Sequence, residues 1–133
     1  MMQVRFELVD VARLKSHEEI RPELLENLVQ EIKTDGYLRK PVLVEDRYFV
    51  ILDGHHRFEA LKKLGCKRIP CYVVDYFDEA IYLTTWPGAR HTNVKKEDVL
   101  KMAADGKLYP PKTTRHIVGI ELKETKVNLS ELL

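Results

Sequence analysis

Two short clusters in the 133-residue chain carry side chains suited to holding anions. The first is Asp53-Gly54-His55-His56-Arg57, between the β-rich run Tyr48–Leu52 and Phe58, Ala60, Leu61 and Leu64 at helical spacing. A strand that delivers the chain to a helix start exposes backbone N–H groups with no intrahelical partner. Such an end attracts phosphate or carboxylate, and Gly54 allows close approach to the backbone. Arg57 adds a guanidinium fork, His55 and His56 add donors, and Asp53 offers an oxygen ligand to a magnesium ion bridging phosphates. The competing reading is an ordinary helix capped by Asp53, with the histidines on the surface. Cationic groups in a first turn oppose the helix dipole, so the residues favour the anion site.

The second cluster is Pro110-Pro111-Lys112-Thr113-Thr114-Arg115-His116, a stiff entry followed by two hydroxyls and three potential cations. It suits phosphate or carboxylate capture, and a solvated basic turn accounts for it equally well. A third feature, Ser16-His17-Glu18-Glu19, offers a carboxylate base for a hydroxyl nucleophile. On the residues alone, Glu18 and Glu19 read better as acids complementing the dipole of the following helix. Trp86, the single tryptophan, reads as core or as a pocket wall. No two of the five histidines are spaced i, i+4, which argues against a histidine metal site.

These clusters need elements to hold them. Gln3–Val9 alternates with Val4, Phe6 and Leu8 on one face, which predicts a strand. Pro22, then Leu24, Leu25, Leu28, Val29 and Ile32, then Gly36, predict a helix with its start and stop. Pro41–Glu45 and Tyr48–Leu52 predict a hairpin around Asp46-Arg47, and Gly65 ends the helix after Arg57. Arg68–Asp75 predicts a further strand and Lys95–Asp105 a helix ended by Gly106. Residues 76–93 give no clear pattern, and 117–133 predict a strand followed by a short helical turn. The expected architecture is one α+β domain over residues 1–133, a mixed β-sheet flanked by helices.

Composition bounds the partners. Twenty-two Lys+Arg against 21 Asp+Glu leave a net charge of +1, which argues against a nucleic-acid partner. A 44% hydrophobic content suffices for a core, and no apolar run approaches the ~20 residues of a membrane helix. The opening MMQVRFELVD lacks a secretory apolar region, and Cys66 and Cys71 form neither a disulfide framework nor a CxxC site. The expectation is a soluble, cytoplasmic protein with no membrane partner. Two Ser, two Gln and three Asn against 13 Lys and 13 Glu resemble hyperthermophile usage.

At DGHHR and its surroundings the sequence resembles the ParB/sulfiredoxin-like superfamily, which binds nucleotide phosphates at this strand–helix junction. Sulfiredoxins carry a catalytic cysteine before the His-Arg pair, where this chain has His55. Partition ParB proteins have a Gly-Glu-Arg-Arg pattern and continue into a helix-turn-helix region, which this sequence does not show. Ser16–Glu19, Ile51–Arg57, Asp75-Tyr76-Phe77-Asp78-Glu79, Thr85-Trp86 and Pro111–His116, in this order, are together similar to the archaeal free L-serine kinases. Longer members of that family carry an inserted lobe where this chain runs directly from Trp86 to Lys95, so the resemblance is to a compact form.

The resemblance implies transfer of a phosphoryl group from ATP or ADP, with Mg2+, to free L-serine. The product would be O-phospho-L-serine, a precursor for cysteine synthesis. It implies Glu18 as the base, reversing the reading of that residue taken alone, and Asp53 as the residue orienting the reacting groups and magnesium. Gly54, His55, His56, Arg57, Lys112, Thr113 and Thr114 would bind the nucleotide phosphates. Trp86, Arg115 and His116 would form the serine site. No Walker-type loop and no protein-kinase HRD or DFG motif is present. A second function class stays open, a non-catalytic ParB-like nucleotide switch or DNA-associated regulator. No carboxylate cluster suits two-metal nuclease chemistry.

Overall fold

The computed structural model describes residues 2–133. Strand β1 (Val4–Asp10) leads through a 3₁₀ turn and an extended segment to helix α1 (Pro22–Asp35). Pro22 occupies the first helical turn, and Gly36 follows the last with φ +80°, its N–H donating to the Ile32 carbonyl. That left-handed stop is the conformation glycine adopts without steric cost. The chain continues through β2 (Tyr37–Leu38), β3 (Val42–Glu45), β4 (Ile51–Asp53), α2 (His55–Lys63) and β5 (Arg68–Val74). After these come β6 (Ile81–Thr85), α3 (Lys96–Ala104), β7 (Thr114–Val118), β8 (Val127–Asn128) and a closing 3₁₀ turn.

The main sheet has strand order β1-β5-β3-β4 and is mixed, because β3 runs parallel to β5 while the two outer pairings, β1–β5 and β3–β4, are antiparallel. All of β3 is buried. Val42 and Val44 enter one apolar cluster with Val29, Ile32, Phe58 and Leu61 of α1 and α2. Leu43 enters the opposite cluster, with Tyr76, Ile81, Val99 and Ala103. Helices α1 and α2 therefore cover one face of the sheet, while α3 and the β6–β7 pair cover the other. The two remaining pairings, β2–β8 and β6–β7, are two-stranded and antiparallel.

The hairpin between β3 and β4 turns around a buried carboxylate. Glu45 accepts N–H bonds from Arg47 (3.0 Å) and Tyr48, and Glu45 is itself 1% exposed. The polar group at the turn is thereby satisfied, as burial requires. Three expectations change. On β1, Phe6 stays exposed and packs edge-on to Tyr72, because β1 is an edge strand and its buried residue is Val9. Residues 81–85 form a strand that periodicity did not show, paired with β7 in register from Ile81↔Val118 to Thr85↔Thr114. The basic segment expected as a loop enters that strand at Thr114, and the tail supplies only a two-residue strand before its helical turn. No helix among the described residues is long and apolar enough to cross a membrane.

Candidate active site

The C-terminal end of β4, the start of α2, the segment 15–21 and the entry to β7 meet around a cleft of about 400 Å³. It is lined by Glu18, Asp53, Gly54, the α2 first turn, Trp86, Lys112, Thr114, Arg115 and His116. Segment 15–21 is held on both sides. Lys15 donates to the Phe49 carbonyl and accepts from Ile51, beside β4. On the far side Glu19 donates to the Tyr109 carbonyl at 2.8 Å, and Tyr109 donates back to the His17 carbonyl at 2.8 Å. Glu18 is thus fixed opposite Thr113 and Thr114, 95 and 96 residues away in sequence.

One carboxylate oxygen of Glu18 takes all its hydrogen bonds. Oε1 accepts from the backbone N–H of Thr113 (3.2 Å) and Thr114 (2.8 Å) and lies 3.0 Å from the Thr114 hydroxyl. Oε2 takes part in none of these. Burial raises the proton affinity of this carboxyl above its ordinary value, and the bonds from Thr114 and Thr113 partly oppose that. A raised pKa makes a better proton acceptor once the group is ionised. The donors expected to face a phosphate are therefore spent within the protein. The Thr113 hydroxyl also donates inward, to the Pro110 carbonyl at 2.7 Å.

Gly54 caps α2, where the sequence offered Asp53 as one candidate cap. Asp53 instead ends β4 with its side chain largely exposed, 3.7 Å from the Arg57 guanidinium. Gly54 brings no capping side chain, so the first-turn N–H groups of α2 remain available at the cleft. Its φ is +107°, and a Cβ there would lie 2.8 Å from Arg57 Nη2. Arg57 cannot easily give way, because Nη1 donates to the Lys40 and Pro41 carbonyls at 2.9 and 3.0 Å. Gly54→Ala should therefore cost about 1–3 kcal/mol, combining left-handed backbone strain with a displaced guanidinium. A urea midpoint unchanged from the parent protein would refute this account of Gly54.

The histidines differ from the sequence expectation of added cations. His55 is buried, and its Nε2 accepts the His17 N–H at 3.2 Å. His56 Nε2 accepts the Arg21 N–H at 2.9 Å. Burial pushes both pKa values down, and neighbouring histidines add to this at His55 while Lys112 and Arg21 do so at His56. Both imidazoles clamp segment 17–21, each leaving its Nδ1–H as the remaining donor. His116 meets the Tyr76 hydroxyl at 2.7 Å, and burial holds it at about 3, so it too is neutral. The free positive charge of the cleft comes from Lys112 and Arg115, which stack on Trp86 at 5.1 and 4.6 Å from the ring centre. Trp86 is itself fixed by its Nε1–H, which donates to the Thr114 carbonyl at 3.1 Å.

His17 is the residue the sequence did not single out for a role of its own. It is fully buried, with Nδ1 2.7 Å from the Ile51 carbonyl and Nε2 3.0 Å from the Thr114 hydroxyl. No local signal marks it, since its partners lie 34 and 97 residues away. Cys66 and Cys71 are buried free thiols away from the cleft, with Cys71 pushed up to about 12 by burial. Among the described residues no three His, Cys, Asp or Glu side chains form a metal site. A cation in the cleft would have Asp53 as an exposed oxygen donor and would draw its other ligands from phosphates and water, the usual manner for magnesium.

A profile of the ParB N-terminal domain matches residues 1–84. An ATP-dependent L-serine kinase of Staphylothermus marinus is 44% identical over 84 residues, 59% of this chain and 33% of that protein. The ADP-dependent L-serine kinase SerK of Thermococcus kodakarensis is 34% identical over 89 residues, 63% of this chain and 36% of its own length. The chain thus matches about a third of the length of these curated relatives. A solved free serine kinase in complex with AMP superposes with a TM-score of 0.88 over 96% of this chain and 93% of that one, at 20% identity. That last likeness is one of fold.

Proposed function

The chain belongs to the ParB N-terminal domain family, and from that premise we propose that it transfers the terminal phosphoryl group of ATP or ADP to the hydroxyl of free L-serine. The observation that carries this reading is the placement of Glu18. A carboxylate with a raised proton affinity and one uncommitted oxygen lines a cleft that also holds a helix start without a side-chain cap and two cations. The names of the L-serine kinases similar to this chain support the same assignment.

In this scheme the phosphates lie against the first-turn N–H groups of α2 at Gly54, with the Nδ1–H groups of His55 and His56 beside them. Lys112 and Arg115 neutralise the phosphate charge that spreads as the terminal P–O bond breaks. Arg57 acts chiefly as a strut under the Gly54 turn, given its bonds to two backbone carbonyls. Serine lies between Trp86 and Glu18, its carboxylate within reach of Arg115, and His116 shapes the wall as a neutral ring. Glu18 Oε2 takes the serine hydroxyl proton as the oxygen bonds to phosphorus. Thr113 and Thr114 hold Oε1 so that this geometry persists. Magnesium, held by Asp53 and the phosphates, would supply charge neutralisation and alignment of the phosphoryl group.

The direct test incubates the folded protein with L-serine, Mg2+ and either nucleotide and looks for O-phosphoserine by mass spectrometry. Product with at least one nucleotide supports the proposal; none with either overturns it. One similar protein is named only as ParB-like, and a non-catalytic ParB-like nucleotide switch is the competing reading. It predicts nucleotide binding without any affinity for free serine, which calorimetry distinguishes.

A further inference from the structure

We infer that the Thr114 hydroxyl is a two-position hydrogen-bond switch that follows the charge of Glu18, with His17 as its second acceptor. The geometry gives one proton two places to go. Thr114 Oγ1 lies 3.0 Å from Glu18 Oε1 and 3.0 Å from His17 Nε2. The Ile51 carbonyl, 2.7 Å from His17 Nδ1, can only accept, so Nδ1 carries the ring proton. His17 has no exposed surface, and burial lowers its pKa to about 4, so at neutral pH Nε2 is a bare acceptor. A single hydroxyl hydrogen cannot serve both neighbours at once.

The two charge states of Glu18 decide between them. The ionised carboxylate is the stronger acceptor, and the hydroxyl turns to Oε1. Once Glu18 has taken a proton on Oε2, Oε1 weakens and the hydroxyl turns to His17 Nε2. The Thr114 proton never leaves its oxygen. Serine's proton goes to Glu18, and the hydroxyl only rotates. Without His17 that rotation would leave a buried donor with nothing to bond, a cost that would fall on the protonated form. His17 and Thr114 are thus positioning residues that let the base change charge in a buried place.

The purpose of the switch rests on the phosphotransferase reading, but its operation is measurable without turnover. The charged and titratable groups around Glu18 are Asp53, His56, Arg57, Lys112 and Arg115, and those around the His17 ring are His55, His116 and Tyr109. The experiment uses the full chain labelled with 13C in glutamate and 15N in histidine, with Glu18→Gln identifying the carboxyl signal. In the parent protein, the His17 Nε2 resonance should move upfield with the same midpoint at which Glu18 takes its proton. Thr114→Val should abolish that coupled movement and raise the Glu18 midpoint by about 0.5–1 pH unit, a three- to tenfold change in acidity. Thr114→Ser should restore both. Independent titration of His17 and Glu18 in the parent, or coupling that survives in Thr114→Val, would overturn the switch. Absence of O-phosphoserine in the turnover assay would overturn the phosphotransferase reading alone and leave the titration to judge the switch.

Discussion

Glu18→Gln should lower kcat by about 10²–10⁴-fold, the range removed with a positioned general base, while nucleotide affinity stays largely intact. The separation of the two effects follows from where each contact lies. The glutamine amide oxygen can still accept the Thr113 and Thr114 N–H bonds that hold Oε1, so the loop bearing Lys112 and Arg115 keeps its position. What disappears is the ability to hold serine's proton. Single-turnover formation of O-phosphoserine, set beside calorimetry with ADP, measures both quantities. A near-normal kcat would remove Glu18 from the role of base, and a large loss of nucleotide affinity would show that it shapes the cleft rather than the proton transfer.

Acid should unfold the protein early. His17, His55 and His116 are neutral in the fold, with folded values lowered to about 4 for His17, about 3 for His116 and well below 6.5 for His55. The cause is chiefly burial, and at His55 and His116 the neighbouring rings add to it. An unfolded chain takes up protons at these residues near pH 6.5, whereas the folded one does not. Their contribution is therefore fully present above pH 6.5. It declines as pH falls from there, until the folded values near 4 and 3 are reached. Each histidine removes up to about 1.4 kcal/mol per pH unit in that window. Three together remove on the order of 4 kcal/mol per unit, against a typical total stability of about 5–15 kcal/mol. Glu18 acts in the opposite sense, because its raised folded value lets the native state bind a proton first, but it offsets at most one histidine. Urea midpoints measured from pH 8 to pH 4.5 should fall steeply below 6.5. A flat profile to pH 5 would mean that these rings ionise in place.

Both outcomes depend on groups that the sequence displayed unequally. Helix α1 was legible because its signals are local, from Pro22 through the apolar stripe to Gly36. The β4–Gly54–α2 junction was legible for the same reason, since strand, turn and helix start lie within a few residues. Thr113 and Thr114 show only hydroxyls in sequence, and those hydroxyls resemble phosphate donors. Their actual partners, Glu18 and Pro110, follow from the packing of segment 15–21 against the entry to β7. Burial, which a sequence does not display, decides the charge of the cleft histidines. His55 and His116 count as potential cations in a sequence but are neutral acceptors or wall groups in the fold. His17 was least legible, since a histidine among polar neighbours gives no sign that Ile51 and Thr114 enclose it.

The span of chain between Glu18 and its partners bears on the order in which the molecule acquires its parts. The four-stranded sheet is complete by Val74, and the family profile ends at residue 84. The bonds that fix Glu18 Oε1 come from Thr113 and Thr114, 95 and 96 residues further along the chain. Closing such a loop carries an entropy cost that must be met before its contacts repay it. Folding topology therefore separates the scaffold from the base. The β1-β5-β3-β4 sheet and the α2 start draw on the chain only as far as Val74, and Glu18 becomes a positioned group only when the entry to β7 has docked.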